Sequence, residues 1–306
     1  MTDKALHIGV VQFACSDKIG ENIATASRLV RQAAAKGAKI ILVQELFSGH
    51  YFCQEQKSEH FSRAHTLNED PAVRALSALA KELGVVIPIS FFEKAGQVFY
   101  NTVAMADADG SILGIYRKSH IPDGPGYNEK YYFRSGDTGL RVWNTAHGRV
   151  GVGICWDQWF PEAARAMALL GAEVILYPTA IGSEPDHPGF DTQPLWQQVI
   201  VGNGVANGTH MVAVNRTGTE QAAPGAPRLA LHLGLSHRAT EAQIRDAVQA
   251  WLMQQAKDNF TQRLNHFAPQ LGVTWRKLSL SNASTRWGTA SGDGAIRLNW
   301  RLIHFK

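Results

Sequence analysis

Cysteine is scarce in this chain: three in 306 residues, at Cys15, Cys53 and Cys155, with no Cys-x-x-Cys spacing. So few and so scattered, they exclude a disulfide framework and a cysteine-rich zinc site, and they predict a reducing, cytoplasmic setting. Long apolar runs are also missing. None approaches the ~20 residues of a membrane span, and Met1-Thr-Asp-Lys4 leads into a short strand instead of a signal-peptide core. There is no internal repeat and no His-Glu-x-x-His pair of helical zinc ligands. What is present is an ordinary globular mixture, 45% hydrophobic and 18% charged, long enough for one large core or two domains.

The net charge of +4 is unevenly spread. Residues 227–306 hold 11 Lys and Arg against 4 Asp and Glu, whereas the preceding 226 residues hold 19 against 22. The basic tail carries its charges singly among apolar residues, not in clusters, so nucleic acid is not the expected partner. The two parts read as different kinds of sequence, joined by the Pro-, Gly- and Ala-rich stretch Gln221-Ala-Ala-Pro-Gly-Ala-Pro227.

In the longer part, strands and helices alternate. His7–Phe13, Lys39–Val43, Val85–Phe91, Glu173–Tyr177 and His210–Val214 read as strands, several of them continuously apolar as when both faces are covered. Ala108-Asp109-Gly110 and His147-Gly148 mark turns between paired strands, 98–106 with 112–116 and 140–143 with 149–154. Helices are predicted over 72–83, 161–170 and 195–205, and one begins near Ile23 and stops at Gly37. This predicts an α/β protein with a mixed sheet, its helices outside and its inner faces buried together. In the tail, a long helix over 241–267 is predicted from the stripe Ile244, Val248, Trp251, Leu252, Phe260, Leu264 and Phe267, with Thr240 as its cap. A strand over 274–280 and a hairpin about Asp293-Gly294 follow.

Three polar residues stand just past apolar strands, where α/β folds assemble their sites. Glu45 follows Ile40-Ile-Leu-Val43, Lys118 follows Ile112–Tyr116, and Cys155 ends Gly151-Val-Gly-Ile-Cys155 before Trp156-Asp157. A thiol needs a base because its ordinary pKa of about 8.5 leaves it protonated at neutral pH. A dry carboxylate would accept that proton, and an ammonium would stabilise the oxyanion formed when sulfur attacks a carbonyl. The set is chemically complete, but chain order does not bring the three together. Glu45 as a surface charge, Lys118 as a hairpin-end cation and Cys155 as core filler remain open readings on residues alone.

The segments around these residues resemble the three signatures of the nitrilase (carbon–nitrogen hydrolase) superfamily. Arg117-Lys-Ser-His-Ile-Pro-Asp-Gly-Pro-Gly-Tyr-Asn-Glu-Lys-Tyr-Tyr-Phe133 and Pro178-Thr-Ala-Ile-Gly-Ser-Glu-Pro185 look most like its N-carbamoylputrescine amidase branch, over about residues 7–219. The resemblance implies an α-β-β-α sandwich, with Glu45 as general base, Lys118 as oxyanion partner and Cys155 as nucleophile. It further implies Glu129 as the residue positioning the lysine and substrate, and the Trp156 N–H as a second oxyanion donor. Hydrolysis of a ureido substrate to putrescine, carbon dioxide and ammonia would follow through a thioester-like intermediate, with no metal or organic cofactor. A substrate's far ammonium would want a carboxylate, and Glu184, Asp186 and Asp191 are the nearby candidates. The family is also homo-oligomeric, using a tail beyond the stretch matched here.

From about residue 228 the chain resembles a different family, the YgjP-like (SprT-like) zinc peptidases, through Ser284-Thr-Arg-Trp-Gly-Thr-Ala-Ser291 and Ala295-Ile-Arg-Leu-Asn-Trp-Arg-Leu-Ile303. With no His-Glu-x-x-His, this resemblance implies a fragment without peptidase chemistry. The expectation is therefore a sandwich domain over 1–219 without its last strands, a junction over 220–227, and a small α+β fragment over 228–306. The alternative expectation is a catalytically impaired fusion of two truncated proteins.

Overall fold

The computed structural model describes residues 6–182, 190–218, 241–282, 288–300 and 302. The junction over 220–227, the proposed cap Thr240, the segment 284–287, and Glu184 and Asp186 lie outside the described residues. The chain divides into two compact units, Met1–Ala226 and Pro227–Lys306.

The first unit opens with β1 (Ile8–Val11), α1 (Ile19–Ala35) and β2 (Ile40–Val43), the two strands pairing in parallel. After α2 (Pro71–Leu83) comes the antiparallel set β3 (Ile87–Ala95), β4 (Val98–Ala106) and β5 (Ile112–Arg117). A parallel bridge between Ile40 and Val86 sets β2 beside the start of β3. A short helix, α3 (Glu129–Tyr132), precedes the second sheet. That sheet orders β6 (Val142–Thr145), β7 (Gly148–Val152), β8 (Val174–Pro178) and β9 (His210–Val214), with α4 (Pro161–Leu169) and α5 (Gln193–Asn207) between its parallel strands. The first strand pair of this sheet is antiparallel and the next two are parallel, which is the mixed sheet expected.

Four fully buried residues in β2 show how the layers stack. Ile41 and Val43 join Ala26 and Val30 of α1 and Leu76 and Leu79 of α2 in one core. Ile40 and Leu42, on the opposite face by the two-residue period of a strand, join Val150 and Val152 of β7 and Val174 and Leu176 of β8 in another. The continuous apolar run thus serves two interfaces, helix on sheet and sheet on sheet. Behind the second sheet, Met167 of α4 packs with Ile175, Tyr177 and Ala172. The layers run α-β-β-α.

In the second unit, α6 (Glu241–Gln270) accompanies a sheet ordered β10 (Lys277–Ser281), β12 (Ala295–Asn299), β11 (Gly288–Ala290). Asp293 and Gly294 turn β11 into β12 as expected, with the Asp293 carboxylate accepting from Ala295 N–H. Its core is small: Ala256, Phe260 and Trp300, flanked by Leu278, Leu280 and Leu298. The predicted stripe holds at Phe260 and fails at Phe267, which is exposed while Ala268 beside it is buried. The helix runs three residues past the predicted end. The side chains of Ile244, Val248, Trp251 and Leu252 lie outside the described residues.

α2 shows how local signals fix an element. The buried Asp70 carboxylate accepts from Ala72 and Val73 N–H at 2.9 Å each, Pro71 occupies the first helical position, and Gly84 ends the helix in a left-handed conformation. Asp70→Ala is expected to cost about 1–2 kcal/mol, read as a lower urea midpoint at unchanged slope.

Candidate active site

The rim beyond the first-sheet strands gathers Glu45, Lys118 and Glu129, all without solvent exposure. Lys118 Nζ donates to Glu45 Oε1 at 2.9 Å and to Glu129 Oε2 at 2.7 Å. Neither the surface-charge reading of Glu45 nor the hairpin-end reading of Lys118 survives that burial. Asn101 of β4 donates to the same Glu45 oxygen at 2.7 Å, and Tyr51 donates to Glu129 Oε1 at 2.6 Å. Glu45 Oε2 has no hydrogen-bond partner among the described residues. A buried carboxylate oxygen left open beside a thiol is placed to accept a proton.

Electrostatics fix the resting protonation. Burial alone would pull the Lys118 ammonium down, but Glu129, Glu45 and the Cys155 sulfur together hold it well above the ordinary lysine value. Burial lifts the Glu129 carboxyl to about 6, against the downward pull of Lys118. Burial, reinforced by Glu45, pushes the Cys155 thiol well up, while Lys118 and the Ala180 N–H pull the other way. Cys155 therefore rests as a neutral thiol within the field of all three charged groups, and sulfur attack requires its proton to move first. Cys53, also buried against this cluster, is likewise pushed up by burial.

Cys155 sits at the head of a 3-10 turn, Cys155–Trp159, directly after β7. Its φ of 45° lies in the left-handed region, and so does Leu46, next to Glu45, at 47°. Non-glycine residues held there cost on the order of 1–3 kcal/mol each, so the surroundings must over-determine them. At Cys155 the restraint is Asp157. Its Oδ2 accepts from Ile154 N–H and Tyr116 O–H at 2.8 Å each, and its Oδ1 meets His120 N–H at 3.0 Å and His120 Nδ1 at 2.7 Å. One carboxylate thus ties the cysteine turn to the loop that carries Lys118. Gly153 completes the turn, because a Cβ there would stand 2.6 Å from the Tyr177 ring. The Trp156 N–H, at the second position of a short helix, has no intrahelical acceptor. Its indole is partly exposed and meets Phe160 edge-on at 5.4 Å.

Of the acidic loop residues, only Asp191 is described. It is exposed, and its carboxylate accepts from Gln193 N–H at the start of α5, as a helix-entry residue does. Asn101, Tyr51, Asp157, Asn215 and Arg216 take part in the site without having been singled out from the sequence. For Arg216 the signal was present: it follows the apolar strand β9 just as Lys118 follows β5.

A buried thiol, a cation between two carboxylates and an α-β-β-α frame together define a thiol hydrolase type of site in a two-sheet sandwich. A profile of the carbon-nitrogen hydrolase family matches residues 7–248, and the chain belongs to that family. The N-carbamoylputrescine amidase of Solanum lycopersicum is 59% identical over 218 residues, 71% of this chain and 73% of that protein. The citrullinase of Francisella tularensis is 54% identical over 215 residues, 70% of this chain and 75% of its own length. The crystal structure of a carbon-nitrogen hydrolase from Helicobacter pylori superposes with a TM-score of 0.68 at 39% identity, covering 72% of this chain and 77% of that one. A profile of the YgjP-like metallopeptidase domain matches residues 208–306.

Asp157→Asn keeps the side chain's shape but cannot accept from every donor that now meets the carboxylate. It is expected to lower stability by about 1–3 kcal/mol and to slow alkylation of Cys155, read by peptide mass spectrometry. Unchanged alkylation would show that the turn holds its geometry without the carboxylate.

Proposed function

We propose that this chain is a cysteine-dependent amidase whose preferred substrate is N-carbamoylputrescine. The observation that carries the reading is the open Glu45 Oε2, buried in one charge cluster with Lys118 and the neutral Cys155 thiol. Glu45 is the general base and Cys155 the nucleophile in this reading. Lys118 and the Trp156 N–H receive the oxyanion, and Glu129 positions Lys118 and the substrate.

The thiol proton passes to Glu45 as sulfur attacks the ureido carbon, and the carbonyl oxygen takes the negative charge against Lys118. Collapse breaks the bond to the terminal amino group, which leaves as ammonia with the proton from Glu45. A carbamoyl thioester remains on Cys155. Water, deprotonated by Glu45, attacks it; the carbon–sulfur bond breaks and sulfur regains a proton. The released carbamic acid decomposes to amine and carbon dioxide. No step calls on a metal or organic cofactor. Glu184, Asp186 and Asp191 remain the candidates for the substrate's far ammonium.

We further infer that residues 1–219 form the amidase domain and 220–227 a junction. Residues 228–306 form a peptidase-like fragment without zinc chemistry, since the sequence holds no His-Glu-x-x-His. A cytoplasmic setting is supported by three free cysteines, and among the described residues no helix is long and apolar enough to cross a membrane. Exposed Leu169 and Leu170 at the C-terminal end of α4 and Val201 and Val205 on α5 support a homo-oligomer. The impaired-fusion alternative has no support in the relatives, an N-carbamoylputrescine amidase at 59% identity and a citrullinase at 54%.

Ammonia release from N-carbamoylputrescine, with citrulline as the competing ureido compound, tests the reading. Cys155→Ala is expected to lower kcat by at least about 10³-fold. Equal turnover in wild type and variant, or preference for citrulline, would overturn the mechanism or the substrate respectively.

The Glu129 carboxyl, lifted to about 6 by burial, gives a pH test. Below that value it binds a proton, becomes neutral and stops holding Lys118. The ratio kcat/KM is therefore expected to fall as pH drops through about 6. Glu129→Gln should remove that limb, and a limb unchanged in the variant would assign it elsewhere.

A further inference from the structure

At the end of β9, two consecutive side chains reach in different directions, as successive residues of an extended chain do. Asn215 turns to the segment after β8. Its Oδ1 accepts from Ile181 N–H at 2.8 Å and Thr179 Oγ1 at 3.2 Å, and its Nδ2 donates to Ile181 O at 2.8 Å. Between those two pinned residues lies buried Ala180, whose backbone N–H pulls the Cys155 thiol down against the upward push of burial.

Arg216 turns to the segment after β2. Its guanidinium donates to Glu45 O at 3.0 Å, Leu46 O at 2.6 Å and Gly49 O at 2.9 Å. Three carbonyls from one turn converge on one planar fork, and the middle one belongs to the left-handed Leu46. On the other side of that residue, Leu46 N–H donates to Ser90 Oγ at 2.9 Å. The same guanidinium lies 6.0 Å from the centre of the Tyr51 ring, whose hydroxyl holds Glu129.

The dipeptide is itself anchored. Gln12 Nε2 donates to Asn215 O at 2.8 Å and to Arg216 O at 3.3 Å. The two segments it holds also touch directly, Glu45 N–H meeting Thr179 O at 3.3 Å.

We propose that Asn215 and Arg216 are positioning residues that set the base against the nucleophile. Asn215 fixes the segment that faces the sulfur, and Arg216 fixes the strained turn that aims the open Glu45 oxygen. Their adjacency directly after one strand makes the spacing between the two sides a property of the backbone, not of two separate loops. The proposal rests on the reading of Glu45 as base and Cys155 as nucleophile.

Arg216→Ala, Arg216→Lys and Asn215→Ala in the full chain test it through two readouts. One is ammonia release; the other is the rate of iodoacetamide alkylation at Cys155, followed by peptide mass spectrometry, which needs no turnover. Arg216→Ala is expected to lower kcat about 10²-fold with KM within about threefold, since small misplacements of a reacting group cost that much. Cys155 alkylation should slow about tenfold, and millimolar guanidinium should restore part of both rates. Arg216→Lys should fall between wild type and Arg216→Ala. Asn215→Ala should slow alkylation without a guanidinium response. A folded Arg216→Ala protein with alkylation and kcat within about threefold of wild type would overturn the proposal. So would losses that only track the folded fraction and ignore guanidinium. Should Arg216→Ala not fold, Arg216→Lys decides: alkylation at the wild-type rate overturns the proposal, and slowed alkylation supports it. A wild type that releases no ammonia would sink the amidase reading alone, leaving the alkylation comparison to decide the positioning role.

Discussion

One buried ammonium between two buried carboxylates organises this molecule. Lys118 has no exposure, and neither do Glu45 and Glu129, so the attraction among them acts where water cannot weaken it. Removing one member of such a set leaves an uncompensated buried charge, at a cost of about 3–5 kcal/mol. Burial pushes the nearby thiol up, and the set's one negative charge in excess adds to that push. In the proposed mechanism, proton transfer from Cys155 to Glu45 neutralises one carboxylate as negative charge passes through sulfur to the carbonyl oxygen. Lys118 therefore exchanges one anionic partner for another, and the site's net charge does not change. A cavity this dry tolerates such a relocation of charge far better than its creation.

The sandwich explains why these groups meet. β2, β5, β7, β8 and β9 all end on one rim, and each hands over a polar residue or a pinned backbone segment there. The apolar side chains behind the rim interdigitate between the sheets, with Ile40, Leu42, Val103, Val152 and Leu176 fully buried. Close packing of that kind leaves the strand ends little freedom to shift. The left-handed residues Leu46 and Cys155 fit this picture. Strained backbone persists only where its neighbours dictate it, and here the dictating groups are Arg216 with Ser90 on one side and Asp157 on the other.

Much of the frame was legible in the sequence because strand apolarity and turn chemistry are local. The run Ile40–Val43 announces a strand covered on both faces, and the three residues just past such strands come to lie in one buried cluster. The braces were not legible, because a sequence states a residue's type and not its partner. Asp157 was in plain view beside Cys155, but its role depends on His120 and Tyr116, about forty positions away. Arg216 lies 171 positions from the carbonyl it grips. Asn101 was hidden differently, as a polar residue inside an apolar strand whose inward direction only the register with β3 and β5 reveals. In the second unit, the buried residues Ala256, Phe260 and Ala268 fall on one row of fourfold spacing, and Phe267 of the predicted stripe lies off it.

The break in composition near residue 227 sharpens what the site requires. The described partners of Glu45, Lys118, Glu129 and Asp157 all lie within the first unit, the last of them Arg216. The second unit has a separate core of only a few large side chains, around Phe260 and Trp300, and a charge balance of the opposite sign. A core that small contributes marginal stability. Chemistry and folding strength are therefore separable here. The reacting groups are assembled by contacts that end at β9, and the cluster's buried charges make those contacts intolerant of partial loss. A loosened strand β9 would withdraw Asn215 and Arg216 together, so the nucleophile side and the base side would lose their restraint in the same event. On the proposed roles of these residues, catalytic competence depends on how firmly the ninth strand is held against the eighth.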